Sequence, residues 1–131
     1  MRVGATYLPV LAVCLLVLAG CGRNSPLYNV QESPLNAPAT ATMAQVEKAI
    51  VTAGIGLGWE IKPESAGKAT GTLKLRTHVA VVDIAYNTKT FSIQYKDSVN
   101  LNYSGGWIHP NYSSWVRNLE QAIREEAARI Q

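Results

Sequence analysis

Two kinds of reactive side chain stand out in this sequence. The first is a thiol: Cys21 closes the run Leu18-Ala19-Gly20-Cys21, behind an apolar stretch from Val10 to Leu18 and a short N-terminus carrying Arg2. A basic start, an apolar middle and small residues at the end make a secretory signal, and Ala19 and Gly20 suit its cleavage site. The apolar stretch is too short to cross the ~30 Å hydrocarbon core of a bilayer. The second kind is a set of His78, His109, Asp97 and Ser98. Asp, His and Ser are the residue types of a hydrolase triad, and two imidazoles are the start of a metal site. Neither constellation has a familiar spacing: there is no nucleophile elbow or oxyanion-hole motif, and no Cys or carboxylate pair completes a ligand set. Aromatic residues gather nearby as Tyr103, Trp107, Tyr112 and Trp115. Trp107 follows Gly105-Gly106 in a loop, where it could stack on a sugar or a partner, whereas Trp115 falls on an apolar helical stripe and belongs to a core.

The elements that must position these residues follow from periodicity. Met43, Val46, Ala49, Ile50 and Ala53 recur at three and four residues, which predicts a helix from about Thr42 to Ala53, stopped by Gly54, Gly56 and Gly58. Four segments with period-two alternation come next. The first sets Leu57, Trp59 and Ile61 inward and turns at Ser65-Ala66-Gly67, which pairs Trp59 with Leu73 and Leu57 with Leu75. A two-residue turn at Thr77-His78 would set Leu75 against Ala80 and Leu73 against Val82. The last hairpin pairs Tyr86 with Phe91, Ile84 with Ile93 and Val82 with Tyr95. All three hairpins keep one apolar face, and a one-residue slip would put Ile84, Ile93 and Leu73 into water. After a loop over Val99 to His109, a second helix starts at about Asn111, an N-cap preceded by Pro110. Its stripe is Tyr112, Trp115, Val116, Leu119, Ala122, Ile123 and Ile130, with Glu120 and Arg124 among the residues facing water.

Both helices must bury a stripe, and the meander offers one continuous apolar face. The expected fold is therefore α+β, a two-layer sandwich of an N-terminal helix, a four-stranded antiparallel meander and a C-terminal helix on one sheet face. The other face is left open. Thr72, Lys74, Arg76, Val79, Val81, Asp83, Gln94 and Lys96 lie on it, with Asp83 opposite Thr72 and Gln94 and within reach of Lys96. This is the candidate binding face, and a solvated antiparallel face is its plainer alternative.

Composition narrows the partners. The chain has 131 residues and a formal net charge of +3, of which Arg2 would leave with a signal over residues 1–20. The remaining charge is far from the basic excess of a nucleic-acid binder. Residues 41–131 make one globular domain. Residues 21–40, with Pro26, Pro34 and Pro38 among polar residues, read as a flexible tether that could hold the domain as far as roughly 60 Å from a membrane. The alternative is that Leu27, Tyr28 and Val30 dock as an edge element. Cys14 would leave with the signal, so the domain carries no disulfide of its own. Nothing in the sequence calls for a cofactor or a metal.

Leu18-Ala19-Gly20-Cys21 resembles the lipobox of bacterial lipoproteins. Tyr95-Lys96-Asp97-Ser98 with Asn100-Leu101, Ile108-His109, Asn111-Tyr112 and Trp115-Val116 look like a group of small lipoproteins of Gram-negative bacteria, over the chain from about Ala41 onward. The resemblance implies that Cys21 receives a diacylglyceryl group, is freed by cleavage before it, and is acylated on its new amine by a chain of the palmitate class. With no Asp after the Cys, it also implies the periplasmic face of the outer membrane, in preference to the outer leaflet of the inner membrane. It supplies no site residues. The resulting expectation is a lipid-anchored periplasmic module that binds an envelope protein or peptidoglycan. The alternative is a small periplasmic hydrolase or metal-binding protein using His109, Asp97 and His78.

Overall fold

The computed structural model describes residue 4 and residues 23–131. Cys21 and the rest of the signal segment, with the lipidation expected there, lie outside the described residues. The elements run in the order β1 (Ser25–Pro26), β2 (Val30–Pro34), α1 (Met43–Gly56), β3 (Trp59–Ser65), β4 (Lys68–Leu75), β5 (His78–Tyr86), β6 (Thr90–Val99), β7 (Trp107–Ile108) and α2 (Pro110–Ala128).

Helix α1 begins where its cap chemistry dictates. Thr42 accepts from the Gln45 amide, and the Gln45 side chain accepts from the Thr42 amide, a capping box that satisfies two orphan donors. The helix does not stop at Ala53 as expected but runs on through Gly54 to Gly56. Packing outweighs propensity here: Gly54 is buried, and a Cβ on it would collide with the Ile61 side chain of β3. The bare Cα is what lets the helix lie this close. Only at Gly58, with φ of 84°, does the backbone take a conformation that favours glycine and ends the element.

The meander holds the expected apolar face, with one register corrected. Trp59 pairs with Leu73, and Tyr86, Ile84 and Val82 pair with Phe91, Ile93 and Tyr95, as the alternation requires. Between β4 and β5 the turn sits on Arg76-Thr77, with Arg76 at φ of 57°, so Leu75 faces His78 and Leu73 faces Ala80. That is a slip of two residues from the expected pairing. It leaves every side chain on its expected face, because the pleat repeats every two residues. Leu57 does not pair with Leu75 at all, since it forms the C-cap of α1.

The sheet has five strands, not four. Its order is β2-β6-β5-β4-β3, and the additional strand comes from the segment expected to be a flexible tether. Val30 pairs with Ile93 and Ser33 with Phe91, and both Val30 and Leu35 are buried. Ahead of it, β1 pairs with β7 in a small second sheet. The apolar residues Leu27, Tyr28, Val30 and Leu35 are few, but each finds a place against the core. That burial offsets the entropy of ordering the segment.

Helix α2 is capped by His109, not Asn111. The His109 Nδ1 accepts from the Asn111 amide at 3.2 Å, and Pro110 takes the first helical position, where a missing N–H costs nothing. Tyr112, Val116, Leu119, Ile123 and Ala127 form its buried stripe. They join Val46 and Ile50 of α1 and Trp59, Val82, Ile84, Phe91 and Ile93 of the sheet in one core. The result is an α+β fold with two helices on a five-stranded antiparallel sheet.

Candidate binding face

On the side of the sheet away from the core, the expected residues come together, with adjustments. Thr72 stands opposite Val81 and Lys74 opposite Val79. Asp83 faces Gln94 on one side as expected, but Thr70 and not Thr72 on the other, a consequence of the two-residue slip. Arg76 leaves the ladder and occupies the tip of the β4–β5 turn. Lys96 reaches Asp83 at 3.4 Å, with both side chains half exposed. A pair this open contributes at most about 1 kcal/mol.

A bulge changes the chemistry of this face. The ladder between β5 and β6 shifts at Val81/Val82, so that Val82 pairs with Tyr95 while Val81 pairs with Asp97, and Lys96 is the extra residue. Beyond it the alternation of β6 inverts. Val99 is therefore paired with Val79 on the open face and is 55% exposed. Together with half-buried Val79 and Val81 it makes an apolar strip flanked by Lys74, Thr72 and Asp97. Sequence reasoning missed Val99 because no turn residue signals a bulge inside a regular strand. At the other end of the face lies a hollow of 480 Å³ lined by Glu64, Lys68, Thr70, Asp83 and Lys96 among others. Its two carboxylates and two ammonium groups give it no net sign.

The residues of the hydrolase and metal alternative are each engaged elsewhere. Asp97 Oδ1 accepts from the Ser98 amide at 2.8 Å, and the Ser98 hydroxyl shares a hydrogen bond with the Tyr95 hydroxyl at 2.9 Å. His109 caps α2 through Nδ1. The fold does bring the two distant histidines together: their ring centroids are 6.0 Å apart, and His78 lies 6.4 Å from Trp115. His78 Nδ1 donates to the Asn100 carbonyl at 2.7 Å. Among the described residues, no group of three or more His, Cys, Asp and Glu gathers in a ligand set. Two packed imidazoles, one bonded to a carbonyl and one to an amide, hold the loop after β6 against α2.

One polar cluster was not anticipated at all. Glu120 was expected to face water, yet it is buried, and its carboxylate accepts from the Tyr28 hydroxyl at 2.7 Å and the Ser33 hydroxyl at 3.1 Å. Arg124 approaches the same carboxylate at 3.4 Å, and the Arg117 guanidinium sits 4.1 Å from the Tyr28 ring centre. The hydrogen bond to Glu120, then burial, raises the Tyr28 pKa. This cluster clamps the N-terminal segment to α2. Its signal in the sequence was only the pair of hydroxyl residues in a stretch otherwise poor in apolar residues.

No protein-family model, curated protein or solved structure matches this chain.

Proposed function

We propose that the protein is a lipid-anchored lipoprotein of the bacterial envelope, held at the periplasmic face of the outer membrane through acylated Cys21. Its domain serves as a non-catalytic binding module for an envelope protein or peptidoglycan. The anchor reading is supported by the order of basic N-terminus, apolar run and Leu18-Ala19-Gly20-Cys21. The binding reading is carried by one observation. Both helices cover the same side of the sheet, and the other side presents Val79, Val81 and Val99 between Lys74, Thr72 and Asp97. An apolar strip with a polar rim is the layout of a protein-binding patch. The engaged side chains of Asp97, Ser98 and His109 favour this reading over hydrolysis.

Photo-crosslinking in intact cells tests it. A photoreactive residue placed at Thr72 or Val81 is expected to capture a discrete envelope product. The same residue at Ile55, exposed on α1, is expected to capture none. An open face that yields no product beyond that at Ile55 would count against the binding role.

A further inference from the structure

The geometry points to a membrane-facing end of the domain: we infer that the loop carrying Tyr103 and Trp107 rests on the bilayer, with Trp107 seated among the lipid headgroups. This rests on the reading of Cys21 as the lipidated residue.

The length of the leash carries the inference. Asn24 Nδ2 donates to the Asn102 carbonyl at 3.1 Å, the Leu27 amide donates to the Gly106 carbonyl at 2.8 Å, and Pro26 lies directly opposite Trp107. The chain is thus docked against this loop from Asn24 onward. Cys21 precedes Asn24 by three residues, which span at most about 10 Å even when fully extended. Acyl chains on Cys21 therefore hold the bilayer surface within about that distance of Asn24, which is itself bonded to Asn102. The arm of roughly 60 Å expected from composition does not exist, because its residues are spent in β1 and β2.

What stands at that end suits a lipid surface. Trp107 is 51% exposed and Tyr103 45%. Their presentation is fixed: Ser104 and Trp107 pair around Gly105-Gly106, at φ of 54° and 83°, a turn both of whose central residues need positive φ. The Tyr103 ring stacks on Tyr95 at 4.2 Å, and Leu101 and Ile108 are buried beneath. A Trp or Tyr ring held this way satisfies its apolar body in lipid and its polar N–H or O–H in the headgroup layer. Asn100 ties the β4–β5 turn to the same end, donating to the Thr77 hydroxyl and accepting from His78, which brings exposed Leu75 toward the loop. Two cations, Arg23 and Arg76, are exposed at this end, while Lys74 and Asp97 flank the strip on the open face. Cations near the surface attract anionic lipid.

The test uses the whole processed protein, purified from membranes in detergent and reconstituted into phosphatidylethanolamine and phosphatidylglycerol vesicles with bromine on the upper acyl chain. Bromine quenches indole emission only at short range. Trp59 is buried in the core and Trp115, carried by α2, is half-buried against that core, so exposed Trp107 is the indole presented to the surface. The expected result is quenching in the native protein and loss of that quenched fraction in Trp107→Phe, with vesicle binding unchanged. Protein that sediments with the vesicles yet shows the same emission with and without bromine overturns the inference and leaves the anchor intact. Protein that carries no acyl mass and does not sediment with the vesicles overturns the anchor reading and this inference with it.

Discussion

A single carboxylate, Glu120, ties the start of the domain to its last helix. Burying a carboxylate is costly unless its oxygens are paired, and here both are: Tyr28 donates to Oε2, while Ser33 donates to Oε1 and Arg124 approaches it. Glu120→Ala leaves the Tyr28 and Ser33 hydroxyls without their acceptor and Arg124 without its carboxylate, although the Ser33 Oγ still accepts from Arg124 Nη1. It should lower unfolding stability by about 1–3 kcal/mol, measured by urea denaturation. Tyrosines give a second handle. Burial, and then a hydrogen bond to Glu47, pushes the Tyr86 pKa from 10.0 up to about 12. Burial also raises that of Tyr112, whose hydroxyl has no partner among the described residues. Both groups hold their protons more tightly folded than unfolded. Their contribution is therefore complete below pH 10 and is lost as pH climbs from 10 toward about 12. Absorbance of tyrosinate during an alkaline titration should show these residues ionising late, together with unfolding, and urea midpoints should begin to fall near pH 10. Neither the clamp nor the shifted phenols could be read from spacing, because Tyr28 and Glu120 meet across 92 residues.

At the scale of elements, what was legible was whatever a short repeat enforces. The β5–β6 pairing followed from alternation alone, since only one register buries Ile84 and Ile93 together. The β4–β5 turn misled by two residues because neither Arg76-Thr77 nor Thr77-His78 contains a residue that favours positive φ, and both registers keep the same face buried. The end of α1 was misread for a different reason. Repeated glycine predicts a stop, whereas Gly54 is a contact residue and Gly56 a tolerated one. Two substitutions separate these roles. Gly54→Ala should destabilise the protein, because crowding against Ile61 outweighs a helix-propensity gain of about 1 kcal/mol. Gly56→Ala meets no atom within 4 Å and should stabilise it by about 0.5–1 kcal/mol. Thermal or urea unfolding of the two variants reads both signs. At its edges the sheet is guarded by Pro34 and a bulge with Glu32 at φ of 44° in β2, and by Pro63 in β3.

For the whole molecule, the largest departure from the sequence reading is the fate of residues 23–40. Prolines and polar residues suggested a free arm, yet four apolar side chains and one clamp dock the segment from β1 to Leu35. The candidate face was legible as a set of residues, since alternation put Thr72, Lys74, Val79, Val81, Asp83 and Gln94 on one side. Its character was not, because the bulge at Lys96 adds Val99 and turns scattered valines into a strip. With the anchor proposed at Cys21, docking of the N-terminal segment would set the orientation of the domain and the availability of its open face.

The measurement that bears most directly on this account is the intact mass of the protein purified from native membranes, with fragmentation of its first residues. The account predicts a chain that begins at Cys21 and carries a diacylglyceryl group on sulfur and an acyl chain on the amine, with neither present in Cys21→Ser. A mature chain with an unmodified Cys21 thiol, or one still carrying residues 1–20, would contradict it.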